Sequence, residues 1–153
     1  MKIAIGCDHG GYALKEKIIE YLISKKHDVL DCGCYSQEPC DYPRYAIKVA
    51  EHVSQKIADR GILICKSGIG NTIAANKVKG ARAALCSNVT QAKSSRQHND
   101  ANILSLGALY VSEKTAKRMI STWLNTDALT GRHARRVRQI ISYERRRLTK
   151  GQS

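Results

Sequence analysis

Five short apolar runs, each closed by a cysteine, a glycine or a polar turn, constrain this chain more than any other feature. They read "KIAIGC" (2–7), "DVLDC" (28–32), "GILIC" (61–65), "ARAALC" (81–86) and "NILSLG" (102–107). Near-continuous apolar runs of this length mark strands buried on both faces. Between the first two, "YALKEKIIEYLISKK" (12–26) sets Leu14, Ile18 and Leu22, with Ile19 beside them, on one helical face. Parallel strands need crossover connections, and helices of this kind supply them. The pattern predicts an α/β fold: a three-layer α/β/α Rossmann-like sandwich on a parallel sheet of five strands. A helix is expected from Arg44 to Ala58 after Pro43, and "SEKTAKRMISTWLNTDA" (112–128) gives another. After Gly131, "RHARRVRQIISYERRRL" predicts a long C-terminal helix with Val137, Ile140, Ile141, Glu144 and Leu148 along one stripe.

A chain of 153 residues suits one domain spanning 1–153. Its 42% hydrophobic and 25% charged residues supply a core and argue against disorder. "MKIAIGCDHGG" is apolar for too few residues to be a signal-peptide core or a membrane span, so a cytoplasmic location is expected. In that setting the six cysteines are expected as thiols. His27, Cys32, Cys34 and Cys40 are the one conceivable metal cluster, yet a C-x-C step departs from zinc-knuckle spacing, and no metal is expected. Much of the formal charge of +13 lies between Arg132 and Lys150. Charge alone is weak evidence for nucleic acid, and no recognisable nucleic-acid module accompanies it.

In open parallel sheets the ligand crevice lies beyond the carboxyl ends of the strands. Asp8 and His9 follow the first strand, "CGCYSQEPCDYPRY" with Asp41 and Tyr42 follows the second, and "CKSGIGN" (65–71) follows the third. Gly68 and Gly70 fall three residues late for a dinucleotide fingerprint, and no G-x4-G-K-[ST] string is present. A C-x5-R phosphatase loop would need an arginine where Asn71 stands. What the loop can offer is backbone N–H donors, at glycines that allow close approach and at a helix start expected near Asn71. Those donors and Lys66 favour the thiolate of Cys65. On the loop alone, a buried structural cysteine is an equal reading. Asp8 and His9 are also candidates to cap the helix that follows them.

With the loop, "CDHGG" (7–11), "DYP" (41–43), "AANK" (74–77), "SRQHNDANIL" (95–104) and "GRHARRV" (131–137) complete a set of polar clusters at element ends. Together they resemble the type B ribose-5-phosphate isomerases, a group that includes galactose-6-phosphate and allose-6-phosphate isomerases, from Lys2 to about Leu148. The resemblance implies an aldose–ketose isomerase of the pentose phosphate pathway, working through a cis-enediolate with no metal or cofactor. It implies Cys65 as the base between C2 and C1, His98 as the group that opens the furanose ring, and Ser67 as its aid. It implies an anion hole from Gly68, Ile69, Gly70 and Asn71, and sugar contacts from Asp8 and Asn99. A phosphate site of His9, Arg132 and Arg136 and a pocket wall at Tyr42 follow in the same way. It further implies a homodimer or tetramer in which the helix bearing His98 completes the partner's pocket.

Two residues depart from the family pattern. Lys66 stands where glycine is usual, which puts a long cation beside the sulfur. Leu109 stands where many members carry an arginine that holds phosphate from the neighbouring subunit. Other sugar phosphates, among them six-carbon and tetrose phosphates, stay open as substrates, as does a sugar-phosphate or nucleic-acid binding protein without turnover. His27, His52 and His133 receive no role from the sequence.

Overall fold

The computed structural model describes the backbone of residues 1–150 and the side chains of residues 1–146. The chain alternates β1 (Lys2–Cys7), α1 (Tyr12–Ser24), β2 (Asp28–Asp31), α2 (Tyr42–Ser54), β3 (Arg60–Cys65) and α3 (Ile69–Ala75). It continues with β4 (Ala83–Leu85), α4 (Val89–Asn99), β5 (Ile103–Gly107), α5 (Glu113–Leu124) and α6 (Arg132–Lys150). The strands form one parallel sheet in the order β2-β1-β3-β5-β4.

Alternation along each strand builds the two cores. Ile3, Ile5, Cys7, Ile62, Ile64, Leu104 and Leu106 point to the face covered by α1, α4 and α5, where Ile18, Leu22, Ala92, Met119 and Trp123 meet them. Ala4, Leu63 and Ile103 point to the other face, against Val49, Ala50 and Val53 of α2 and Ala75 of α3. This is the three-layer sandwich read from the sequence, with α6 packed outside on α4. The chain leaves β1 toward β2 and returns to β3, so strand order reverses between β1 and β3. Their carboxyl ends are neighbours, with Cys7 opposite Ile64 and the Asp8 N–H donating to the Ile64 carbonyl at 3.3 Å. A crevice belongs at such a switch point.

Several boundaries move. β4 loses the start expected at 81 because side-chain amides replace ladder partners: Asn102 Oδ1 accepts from the Arg82 N–H and Asn76 Oδ1 from the Ala83 N–H; it stops at Leu85, although the Cys86 N–H still donates to the Ser105 carbonyl at 3.1 Å. α2 begins at Tyr42 rather than Arg44, since Pro43 fits a first helical turn, and ends at Ser54, ahead of Lys56 with φ +62°. α3 begins at Ile69, two residues before the expected start. The α6 stripe divides. Val137 is buried and Glu144 accepts from the Gly80 N–H, whereas Ile140 is exposed; the side chains of Arg147 and Leu148 lie outside the described residues.

The largest surprise is on α1, where Lys15 is fully buried one position from the expected apolar face. Its Nζ donates to both oxygens of Asp31, at 2.8 and 2.7 Å, and to the Cys34 carbonyl at 2.8 Å. The rings of Tyr12 and Tyr35 face the ammonium, with centroids 5.6 and 5.2 Å away. A buried charge is tolerated only when paired and hydrogen-bonded in this way.

Candidate active site

The loop from Cys65 to Asn71 is held from both sides. The Cys65 and Lys66 carbonyls accept from the Ala108 and Leu109 N–H groups at 2.8 and 3.1 Å, so the loops after β3 and β5 continue the sheet pairing. Gly68 has φ +81°, a conformation that glycine adopts without the strain of a side chain, and a β-carbon there would press on Leu85 and the Leu106 backbone. That turn aims the Gly68 N–H back at Cys65 Sγ, 2.9 Å away. Cys65 is 4% exposed, and its buried sulfur accepts from that N–H. Ser67 Oγ accepts from the Ile69 N–H at 3.2 Å, which places its hydroxyl at the start of α3.

The other strand-end residues gather around this loop. Asp8 is buried and its Oδ1 accepts from the Gly11 N–H at 3.0 Å, closing the turn ahead of α1. Neither Asp8 nor His9 is the helix cap, a position that falls to Gly11. His9 is exposed, and its Nδ1 accepts from the Cys40 N–H at 3.2 Å. That bond assigns the ring proton to Nε2, which is left to donate outward. Tyr42 lies across the loop, its ring within 2.5 to 2.9 Å of where a Gly70 β-carbon would stand. Asn71 is 1% exposed, and neither atom of its amide has a hydrogen-bond partner. Orphan amides at that depth are rare in folded proteins and call for a cause, a catalytic role among them.

Burial bears on three of the other cysteines. It pushes the thiols of Cys7 and Cys86 upward and that of Cys32 up to about 11, so they stay protonated. Cys34 turns to Cys7, sulfurs 3.6 Å apart, while Cys32 turns to the opposite face and His52 Nδ1 at 3.5 Å. Among the described residues no three His, Cys, Asp or Glu side chains converge as metal ligands.

His98, Arg132 and Arg136 gather about His133, and Asn99 lines the groove beside Ile140 and Tyr143. Arg96 pins the end of α4, its Nη1 donating to Asp100 Oδ1 and the Ala101 carbonyl at 2.7 and 2.6 Å, and Asp100 ends the helix at φ +47°. His98 is thereby presented to α6, where it stacks on His133 with centroids 4.4 Å apart and planes at 10°. Partial burial, His98, Arg132 and Arg136 hold His133 below the usual imidazole range. His133 is the site neighbour that sequence reasoning missed; its signal was its place in "GRHARRV" between the two arginines. Among the described residues, no hydrogen bond, ion pair or ring contact ties His98, Arg132 or Arg136 to the Cys65 loop.

The family model for ribose/galactose isomerases matches residues 3–140. The chain belongs to the ribose/galactose isomerase family. It is 46% identical over 146 residues to the ribose-5-phosphate isomerase B of Escherichia coli K12, covering 95% of this chain and 98% of that one. The solved ribose-5-phosphate isomerase B of Clostridium thermocellum superposes with a TM-score of 0.93 at 49% identity, over 95% and 99% of the two chains. That of Mycoplasma genitalium, solved with bound ribulose-5-phosphate, gives 0.90 at 40% identity over 94% and 96%. In this isomerase family member, the expected site residues therefore stand in two separate groups on one chain.

Proposed function

We propose that this chain is an aldose–ketose isomerase that interconverts ribose 5-phosphate and ribulose 5-phosphate, with Cys65 as the base and residues 1–153 acting as one domain. The observation that carries the reading is Cys65 Sγ beneath the Gly68 N–H, flanked by Asp8, Tyr42 and the unpartnered amide of Asn71. A proton beside a carbonyl is weakly acidic, so a positioned base, with a typical effect of about 10² to 10⁴ in rate, has to act with stabilisation of the developing oxyanion. Main-chain donors at Gly68 to Asn71 supply that stabilisation, those of Gly68 and Ile69 passing from Cys65 Sγ and Ser67 Oγ to the substrate, and one such donor typically changes rate by about 10² to 10³. Cys65 takes the proton from C2 and returns it to C1, while the enediolate oxygens rest against these donors. Ser67 and Asp8, with Asn99 of a second copy, hold sugar hydroxyls.

The phosphate end meets His9 Nε2–H, with Arg132 and Arg136 one helical turn apart on α6. Gripping the remote phosphate holds the sugar in register without taking part in the chemistry. Because His98, Arg132 and Arg136 stand apart from the Cys65 loop within one chain, a second copy supplies them, and His98 opens the furanose ring in the partner's crevice. Exposed Ile69, Ile73 and Leu85 around the loop support this pairing, as does a groove of about 610 Å³ between Ile140, Tyr143, Ala83, Ala84 and Asn99. Soluble monomers rarely leave such apolar surface uncovered.

The test is conversion of ribose 5-phosphate to ribulose 5-phosphate in the presence of a chelator, beside a panel of tetrose and six-carbon sugar phosphates. Turnover of ribose 5-phosphate above the panel is expected. A preference for another sugar phosphate would move the substrate, and no turnover of any would overturn the enzymatic reading.

A further inference from the structure

We propose that Lys66 is a further substrate-binding residue, a cation that reaches over the β1–α1 turn to the phosphate beside His9. It rests on the isomerase reading above and adds a residue to the phosphate grip. The backbone of residue 66 is fixed by the pairs that the Cys65 and Lys66 carbonyls make with Ala108 and Leu109. The side chain therefore leaves in a set direction, and that direction is over Gly10. A β-carbon on Gly10 would lie 3.2 Å from Lys66 Cβ and 3.4 Å from Cγ, closer than most real contacts of that kind. Glycine at position 10 thus leaves the space in which the lysine stem lies, between His9 and Gly11.

Lys66 is exposed, and among the described residues no carboxylate lies within ion-pair distance of its ammonium. Asp8, the acid of the same turn, is buried and engaged by the Gly11 N–H. His9, with Nδ1 occupied by the Cys40 N–H, donates one hydrogen bond and brings no full charge in that tautomer. A sugar phosphate carries nearly two negative charges at neutral pH. A flexible stem ending in three N–H donors meets that need from the same loop that holds the base.

The experiment compares Lys66→Ala, Lys66→Arg and Lys66→Glu, measuring kcat and KM for ribose 5-phosphate and competitive inhibition by inorganic phosphate at low and high salt. In Lys66→Ala, KM and the inhibition constant for phosphate rise together, about fivefold, as fits an exposed pairing with a doubly charged group, while kcat changes little. Lys66→Arg recovers most of the loss, and Lys66→Glu deepens it. High salt shrinks the difference, because the screening length falls to about 3 Å at 1 M, the scale of an exposed contact pair. Unchanged KM and phosphate inhibition in both the alanine and glutamate variants would overturn the proposal. So would a fall in kcat with a shifted pH profile and constant KM, which would tie Lys66 to the proton transfer instead. Should the parent protein turn over no sugar phosphate, the isomerase reading fails, and calorimetric binding of inorganic phosphate to the parent and Lys66→Ala still decides the role of Lys66.

Discussion

Replacing Lys15 by methionine keeps an unbranched stem in place and removes only the ammonium, which makes it the sharpest test of how the first two loops are held. The change leaves Asp31 without its cation and the Cys34 carbonyl without its donor. Removing one partner of a buried ion pair costs about 3–5 kcal/mol when the other stays buried and charged. Asp31 is 31% exposed and keeps the Gly33 N–H at 2.9 Å, so water and that bond relieve part of the loss, leaving about 2–3 kcal/mol. For a chain of this size, a loss of that order lowers Tm by about 5–10 °C in a thermal melt. Burial works against the charge on Lys15, but hydrogen bonds to Asp31 and its charge outweigh it and hold the ammonium above the usual lysine range. The stabilisation is therefore full below about pH 10.4 and is lost as pH rises through the folded-state value, where parent and variant converge. The Cys34 carbonyl anchors the segment that brings the Cys40 N–H to His9, so KM also rises with little change in kcat. A Tm within 2 °C of the parent across neutral pH, a shift below about 1 kcal/mol, would refute this account of the buried lysine.

The remaining predictions concern the site. Cys65→Ala abolishes solvent exchange of the C2 proton while inorganic phosphate still binds by calorimetry; undiminished exchange by mass spectrometry would remove Cys65 from the mechanism. Arg136→Ala raises KM about tenfold or more, the scale of one charge-assisted contact to phosphate, and an unchanged KM would move the phosphate site elsewhere. Cys65→Ala and His98→Asn, each inactive alone, regain activity when unfolded together and refolded. Random pairing of a two-fold dimer restores about a quarter of the sites, and no recovery would mean that each crevice is built from one chain.

Much of this is legible in the amino-acid sequence. The strands were readable because residues buried on both faces leave an uninterrupted apolar signal, and Asp8, His9 and Cys65 to Asn71 were readable because strand ends carry the crevice in open parallel sheets. Boundaries at β4 and α2 were not, since Asn76 and Asn102 replace ladder partners from distant positions and Lys56 ends its helix by a local φ that composition does not reveal. Lys15 looks like a surface lysine in any local window; only Asp31, Cys34, Tyr12 and Tyr35, assembled from three segments, make its burial possible.

Periodicity and turn residues, which act over a few positions, set the α/β class, the five strands and the chemistry available at their ends. Tertiary structure alone decided which of those groups meet. It set Asp8, Tyr42 and Asn71 about Cys65, stacked His133 on His98, and kept His98, Arg132 and Arg136 apart from the sulfur they are proposed to serve. The physical reason is that strand order and the packing of α6 on α4 are long-range choices, fixed by the burial of whole faces rather than by any residue's neighbours in the chain.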